Sequence, residues 1–233
     1  FKRETVANFF KPTSMVEYSK RLKKKIVPII KPLEIKKSLG EILSKNNLRQ
    51  LRITETEKYA HVTYFFNGGM EESFDKEDRV LIPSPRVETY DKKPEMAAFE
   101  LTNELEKRIN LDKYDFILTN FANPDMVGHT GNLKATIRAV EVVDECLGGI
   151  YERCLAKDYI LIITSDHGNA DLMFNENESV KCTTHSINPV PFIICGDYKY
   201  IKKNGVLADI APTVLKIMNI KIPEEMEGKP LIE

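Results

Sequence analysis

Five residues in three short polar stretches could do chemistry together. Asp125 and His129 stand four apart within Asn123 to His129, Asp166 and His167 are adjacent within Thr164 to Asn169, and His185 closes Thr183 to His185. These stretches hold three of the chain's four histidines. A spacing of four places Asp125 and His129 on one side of a helical turn, and Gly128 and Gly131 permit tight backbone around them. Asp166 and His167, adjacent at the end of a strand, should point in different directions, which suits one ligand for each of two neighbouring ions better than two ligands for one. Two Asp and three His form an oxygen and nitrogen set without thiolate, which suits Mn²⁺, and Zn²⁺ or Co²⁺ less distinctively. Closely spaced metal pairs clamp phosphoryl groups, neutralising charge while orienting attack and departure. Taken singly, each residue has a plainer reading: a histidine near a strand end often bonds the backbone, and Asp before His-Gly is ordinary turn chemistry. Their gathering at one rim is what favours a metal. His61 lies inside a strand pattern and reads as structural.

The elements that must position these residues follow from periodicity and punctuation. Arg3 to about Ile26 reads as a Lys-rich helical segment broken at Pro12, with Lys23-Lys24-Lys25 as its solvated end. Pro28 and Pro32 bracket an extended connector and mark a hinge, giving an expected division into residues 1–32 and 33–233. Ile35, Leu39, Ile42 and Leu43 have helical spacing up to Asn46-Asn47. Ala60 to Phe66 is aromatic and β-branched and predicts a strand closed by Asn67-Gly68-Gly69. Glu71 to Arg79 is loop-like, Arg79 to Ile82 a short strand and Pro83-Ser84-Pro85 a stiff loop. Pro94 suits a first helical position ahead of the apolar face Ala98, Leu101, Leu105 and Ile109. Tyr114 to Phe121, Tyr159 to Ile163 and Val190 to Cys195 read as buried strands. Asn132 to Ala156 reads as a long helix with Leu133, Ile137, Val140, Leu147 and Ile150 towards the core. Ala208 to Met218 is a helix presenting Ile210, Val214 and Met218. Helices alternating with short apolar strands argue for an α/β domain with a largely parallel central sheet. In such sheets ligands sit beyond the carboxyl ends of the strands. Asp125 and His129 follow the strand ending at Phe121, and Asp166 and His167 the one ending at Ile163, so both pairs belong at one rim.

Composition excludes several classes of function. Thirty-four Lys and Arg balance 35 Asp and Glu in 233 residues, so no global charge points to nucleic acid or a membrane surface. The hydrophobic content of 42% is that of an ordinary folded protein. No apolar run approaches the roughly 18 residues of a membrane span, and the N-terminus lacks a signal-peptide pattern. Cys146, Cys154, Cys182 and Cys195 show no paired spacing and read as reduced thiols, which predicts a cytosolic location. The chain begins at Phe1 within what reads as the interior of an element, so a piece of a longer protein is expected.

At this point long motifs carry a resemblance. Asn120-Phe121-Ala122-Asn123-Pro124-Asp125-Met126-Val127-Gly128-His129-Thr130-Gly131 resembles the signature of cofactor-independent phosphoglycerate mutases, within the alkaline phosphatase superfamily. Glu57-Lys58-Tyr59-Ala60-His61-Val62-Thr63, Leu81-Ile82-Pro83-Ser84-Pro85, Tyr90-Asp91 with Pro94-Glu95-Met96, Ser165-Asp166-His167-Gly168-Asn169-Ala170 and Thr184-His185-Ser186 match in the same order. The resemblance implies a three-layer α/β/α phosphatase-like domain with two Mn²⁺ ions. It implies interconversion of 3-phosphoglycerate and 2-phosphoglycerate through a phosphoserine, by a protein that is monomeric when intact. On this resemblance Asp125, His129 and His185 would hold the first metal, and Asp166 and His167 part of the second. Lys58, on its own an unremarked surface lysine, would stabilise charge on the transferred phosphoryl group.

The departures from the family matter equally. The family's serine nucleophile, an aspartate ending its first strand and the basic motif that grips substrate all lie upstream of anything matched here. Ser84, Ser165 and Ser186 do not match the nucleophile's motif. The chain therefore resembles a C-terminal portion: residues 1–32 as the tail of the inserted domain with its hinge, then residues 33–233 as a metal-binding domain lacking its N-terminal strand. Such a portion is expected to be inactive alone and less stable than a longer form. Competing readings are another phosphomutase or phosphodiesterase of the same superfamily, against which the Asn123 to Gly131 motif argues, and a non-catalytic metal-binding fragment.

Overall fold

The computed structural model describes residues 4–5, 10–17, 21–22, 25–30, 35–175, 180–201 and 204–233. The chain divides into two compact units, Phe1–Ile35 and Lys36–Glu233. In the first, β1 (Thr13–Ser14) and β2 (Val27–Pro28) pair in parallel. Thr13–Ser14 is a strand where the reading of Arg3 to Ile26 expects helix, and residues 3, 6–9, 18–20 and 23–24 of that segment lie outside the described residues. Pro12 directly precedes β1 and cannot donate to a helical ladder. Lys23 and Lys24, and the connector residues after Ile30, lie outside the described residues.

The second unit begins with α1 (Leu39–Lys45), capped by Ser38, whose hydroxyl accepts from the Glu41 amide at 3.4 Å. There follow β3 (Gln50–Glu55), β4 (Glu77–Ile82), α2 (Ala98–Asn110), β5 (Phe116–Asn120), α3 (Asn123–Gly128) and α4 (Leu133–Ala156). The order closes with β6 (Leu161–Thr164), β7 (Phe174–Asn175), β8 (Val180–Lys181), β9 (Phe192–Cys195) and α5 (Ile210–Ile217). β3 lies between β4 and β5, both parallel to it, while β6 and β9 form an antiparallel pair and β7 and β8 another. Successive side chains of a strand point to opposite faces, and here those faces meet different helices. Leu51, Ile53, Ile117 and Leu161 pack with Leu101, Leu105 and Ile150 of α2 and α4. Phe116 and Ile162 pack on the other side with α1 and α5, through Leu43 and Leu215. The architecture is three-layered, α/β/α.

Other expectations change as well. Ala60 to Phe66 is helical, with His61–Phe65 a π-helical turn, rather than a strand. Both edges of β3 are already taken by β4 and β5, and the Thr63 hydroxyl instead donates back to the Tyr59 carbonyl at 2.7 Å. The helix expected from Pro94 starts at Ala98, because Met96 adopts a left-handed φ of 45° that helical backbone cannot contain. In α4 the buried face is Ala135, Thr136, Ala139, Val142, Cys146, Ile150 and Cys154, whereas Leu133, Ile137 and Val140 are exposed. Small residues let α4 approach α2 and α3, so the bulky row turns outward.

β5 and β6 are half-buried rather than buried, because among the described residues each pairs along one edge only. Between them runs a cleft of about 910 Å³, lined by Leu118, Asn120, Leu161 and Ile163 and by Val140 and Leu147 of α4. Thr119 Oγ1 and Asn120 Oδ1 are buried there without a hydrogen-bond partner among the described residues.

Candidate metal centre

Lys58 reaches the rim from the 3₁₀ turn Thr56–Lys58 that leaves the carboxyl end of β3. The turn is held at two points: Ser84 Oγ donates to Glu55 Oε2 at 2.8 Å, and Tyr90 Oη donates to Glu57 Oε1 at 2.6 Å. Burial and that bond to a carboxylate push the Tyr90 phenol up to about 12. The Lys58 side chain is only 4% exposed and donates to Asp125 Oδ2 at 2.6 Å, with Asp166 Oδ2 at 3.9 Å on its other side. The surface-lysine reading therefore fails: a buried ammonium bridges the two acidic stretches.

Asp125 sits in the first turn of α3, where Pro124 occupies an early position that needs no N–H partner. Val127 buries the opposite side of that helix against Met96, Ala135 and Ala139, and Asn123 Nδ2 donates to the Pro94 carbonyl at 2.8 Å. One turn on, His129 brings Nε2 to 3.1 Å from Asp125 Oδ1. The His129 Nδ1 lies 2.6 Å from the Thr183 carbonyl, which can only accept. That carbonyl selects the Nδ1–H tautomer and leaves the Nε2 lone pair free.

Asp166 and His167 do not diverge as a strand would dictate. β6 ends at Thr164, and in the bend that follows Ser165 Oγ donates to the His167 carbonyl at 2.7 Å. His167 Nε2 thereby lies 3.6 Å from Asp166 Oδ2. The His167 ring stacks on His185 with centroids 3.6 Å apart, and His185 Nε2 stands 3.3 Å from Asp125 Oδ1 and 3.2 Å from His129 Nε2. All five expected ligands and Lys58 thus meet at one rim.

The donor set fits a divalent cation. Asp125 Oδ1, His129 Nε2 and His185 Nε2 form a triangle with edges of 3.1, 3.2 and 3.3 Å. Ligands about 2.0–2.2 Å from an ion at tetrahedral or octahedral angles lie about 3–3.5 Å apart. With both imidazole Nε2 atoms unprotonated, three lone-pair atoms so close would repel, and a shared cation would relieve that repulsion. The ligand atoms of Asp125, His167 and His185 also lie within 4.8 Å of one another, so the two expected half-sites are contiguous. Burial raises the Asp125 carboxyl, but the bond and charge of Lys58 and a bond from Asn169 hold it below the usual carboxylate range.

Sequence reading missed two residues here. Asn169, 5% exposed, donates to Asp125 Oδ1 at 2.7 Å. His61 is exposed rather than structural and lines the cleft beside Lys58 and Asp166; partial desolvation of its ring first, and Lys58 second, lower its pKa. Asn169 stands inside the Asp166 motif and could have been found there, whereas His61 was hidden by the mistaken strand.

Comparisons with known proteins bear on the family and the fold. A model described as the metalloenzyme superfamily matches residues 10–222. The chain is 54% identical over 221 residues to a protein of Ehrlichia ruminantium (strain Gardel) named 2,3-bisphosphoglycerate-independent phosphoglycerate mutase, covering 94% of this chain and 44% of the relative. A protein of the same name from Antithamnion sp. is 54% identical over 237 residues, covering 100% of this chain and 46% of the relative. The chain thus spans under half the length of the curated relatives it matches. Among solved structures, Leishmania mexicana phosphoglycerate mutase, crystallised at low cobalt concentration, superposes with a TM-score of 0.84 at 31% identity, over 95% of this chain and 44% of the other. With most of its length inside the family model and its layers shared with a solved relative, the chain belongs to the metalloenzyme superfamily.

Proposed function

We propose that this chain supplies the metal centre of a cofactor-independent phosphoglycerate mutase, which interconverts 3-phosphoglycerate and 2-phosphoglycerate in glycolysis and gluconeogenesis through a phosphoserine. The observation that carries the reading is the triangle of Asp125, His129 and His185 with the buried Lys58 ammonium alongside. The names of relatives above 50% identity support the substrate pair. Asp125, His129 and His185 hold one ion, and Asp166 and His167 hold part of a second; Mn²⁺ suits the set, with Zn²⁺ or Co²⁺ able to replace it. Bound metal supplies Lewis-acid neutralisation of phosphoryl charge. Lys58 places a desolvated cation between the two acidic groups, where it meets phosphoryl oxygens and stabilises the charge they gain in transfer. The Thr183 carbonyl keeps the His129 proton on Nδ1. No serine of these 233 residues takes the nucleophile's role, which falls to polypeptide outside them. Residues 1–32 belong to the inserted domain's end and hinge, and residues 33–233 to the phosphatase-like domain. The protein works in the cytosol as a monomer when intact.

An enolase-coupled assay with a Mn²⁺ titration tests this. Mn²⁺ should bind the purified chain without turnover, and a longer polypeptide supplying the serine motif should turn over phosphoglycerate. In that polypeptide Lys58→Met should lower kcat by at least about 100-fold, the order lost with one transition-state charge stabiliser. Turnover by the 233-residue chain alone, or action on a phosphopentose or phosphodiester but not phosphoglycerate, would sink the proposal.

A further inference from the structure

The segment from Ser165 to Asp171 carries Asp166 and His167, yet it also grips the ligands of the other half-site. Asn169 Nδ2 donates to Asp125 Oδ1 at 2.7 Å and to the Asp125 carbonyl at 3.3 Å. Beyond Asn169 the same segment reaches the loop of His185. The Ser186 amide donates to the Gly168 carbonyl at 2.8 Å, closing an antiparallel bridge. Ser186 Oγ lies 3.1 and 2.9 Å from the two Asp171 carboxylate oxygens, and Asn188 Nδ2 donates to Asp171 Oδ2 at 2.6 Å. Ser186 is the neighbour of His185, so the carboxylate of Asp171 fixes the backbone on which that imidazole stands. A Cβ on Gly168 would run into Ser186 Oγ and Asp171 Oδ1, so the two loops close up only because that position is bare.

We infer that Asp171 is a positioning residue: acting through Ser186 and Asn188, it holds His185 in the triangle with Asp125 and His129 and so sets the affinity of that site for a divalent ion. The inference rests on the reading that Asp125, His129 and His185 bind metal. Its physical ground is that a ligand's freedom must be lost when metal binds. A carboxylate anchoring the ligand's loop removes that freedom beforehand, and outer partners of this kind are worth about 10- to 100-fold in metal affinity. Asp171 is itself exposed and outside the core, so its removal leaves the packing of the sheet and helices intact.

The test titrates the full chain with Mn²⁺ by calorimetry and follows Co²⁺ by visible absorption, which reports coordination geometry. Asp171→Ala and Ser186→Ala should each weaken Mn²⁺ binding about 10- to 100-fold and alter the Co²⁺ spectrum. The double variant should be no weaker than the worse single one, because Asp171→Ala already breaks the contacts to Asp171 that Ser186→Ala removes. Ser186→Thr, which keeps the hydroxyl, should restore affinity. The metal-free melting temperature should not move. Wild-type affinity in both alanine variants overturns the inference, as does a loss of affinity that tracks a fall in the metal-free melt. If the unaltered chain binds neither ion, the metal reading itself fails and takes this inference with it.

Discussion

At the scale of single residues, the rim combines groups whose charge is supported with one whose charge is not. Glu55 is fully buried at the end of β3, with Ser84 donating to Oε2 and Oε1 lacking a close partner among the described residues. Burial raises its carboxyl above the ordinary glutamate value, against the lowering effect of Ser84 and the Ala97 backbone. The folded state therefore keeps this proton when the unfolded chain has lost it. Glu55 contributes stability below the unfolded value, and that contribution is lost as pH rises through the window between the unfolded and folded values. Glu55→Gln should remove this dependence: its urea midpoint should gain on the wild type as pH rises from about 4, near the unfolded glutamate value, to neutrality. Parallel midpoints across that range would refute the assignment. That these five Asp and His side chains would gather at one rim was legible from residue type and spacing, because few other combinations of Asp and His recur beside strand ends. Lys58 was not legible from the residue itself. A lysine in a polar stretch is ordinarily solvated, and only the fold turns this one inward onto Asp125 and Asp166.

At the scale of elements, the missed and misread segments have a common cause. In Gln50–Glu55 polar residues alternate with Leu51 and Ile53, which looks like a half-exposed pattern, but both faces of the strand are buried. Arg52 is fully buried with its guanidinium over the Phe66 and Phe116 rings, a contact no local pattern announces. The central strand was therefore the hardest to see, and Ala60 to Phe66 took its place in the reading because aromatic, β-branched composition mimics a strand. Close approach is equally invisible in composition. A Cβ at Gly128 in α3 would meet the buried Asn169 Oδ1, whereas one at Gly148 in α4 would meet nothing within 4 Å. Gly128→Ala should cost about 1–3 kcal/mol and weaken Mn²⁺ binding by displacing Asn169 from Asp125. Gly148→Ala should stabilise by about 0.5–1 kcal/mol through helix propensity. Denaturant melts of both variants check the pair, and equal effects would show that Asn169 yields freely.

At the scale of the whole molecule, the alternation of helices and strands was enough to read an α/β layering and a shared rim. It was not enough to show where the sheet is interrupted, because strand neighbours are chosen by tertiary packing rather than by sequence order. That interruption has a colloidal consequence. The facing edges of β5 and β6 offer rows of backbone donors and acceptors beside an apolar trough, and unpaired strand edges are templates for another chain. A second molecule's strand, once lodged there, would leave its own edges open for a third. Sedimentation should therefore show association that grows with protein concentration, and Leu118→Lys, which sets a charge on the lip of β5, should suppress it. Monomeric sedimentation of the unaltered chain at every concentration would mean that the trough is closed to strangers. If association is seen, the gap between two strands limits how concentrated a solution of this protein can be.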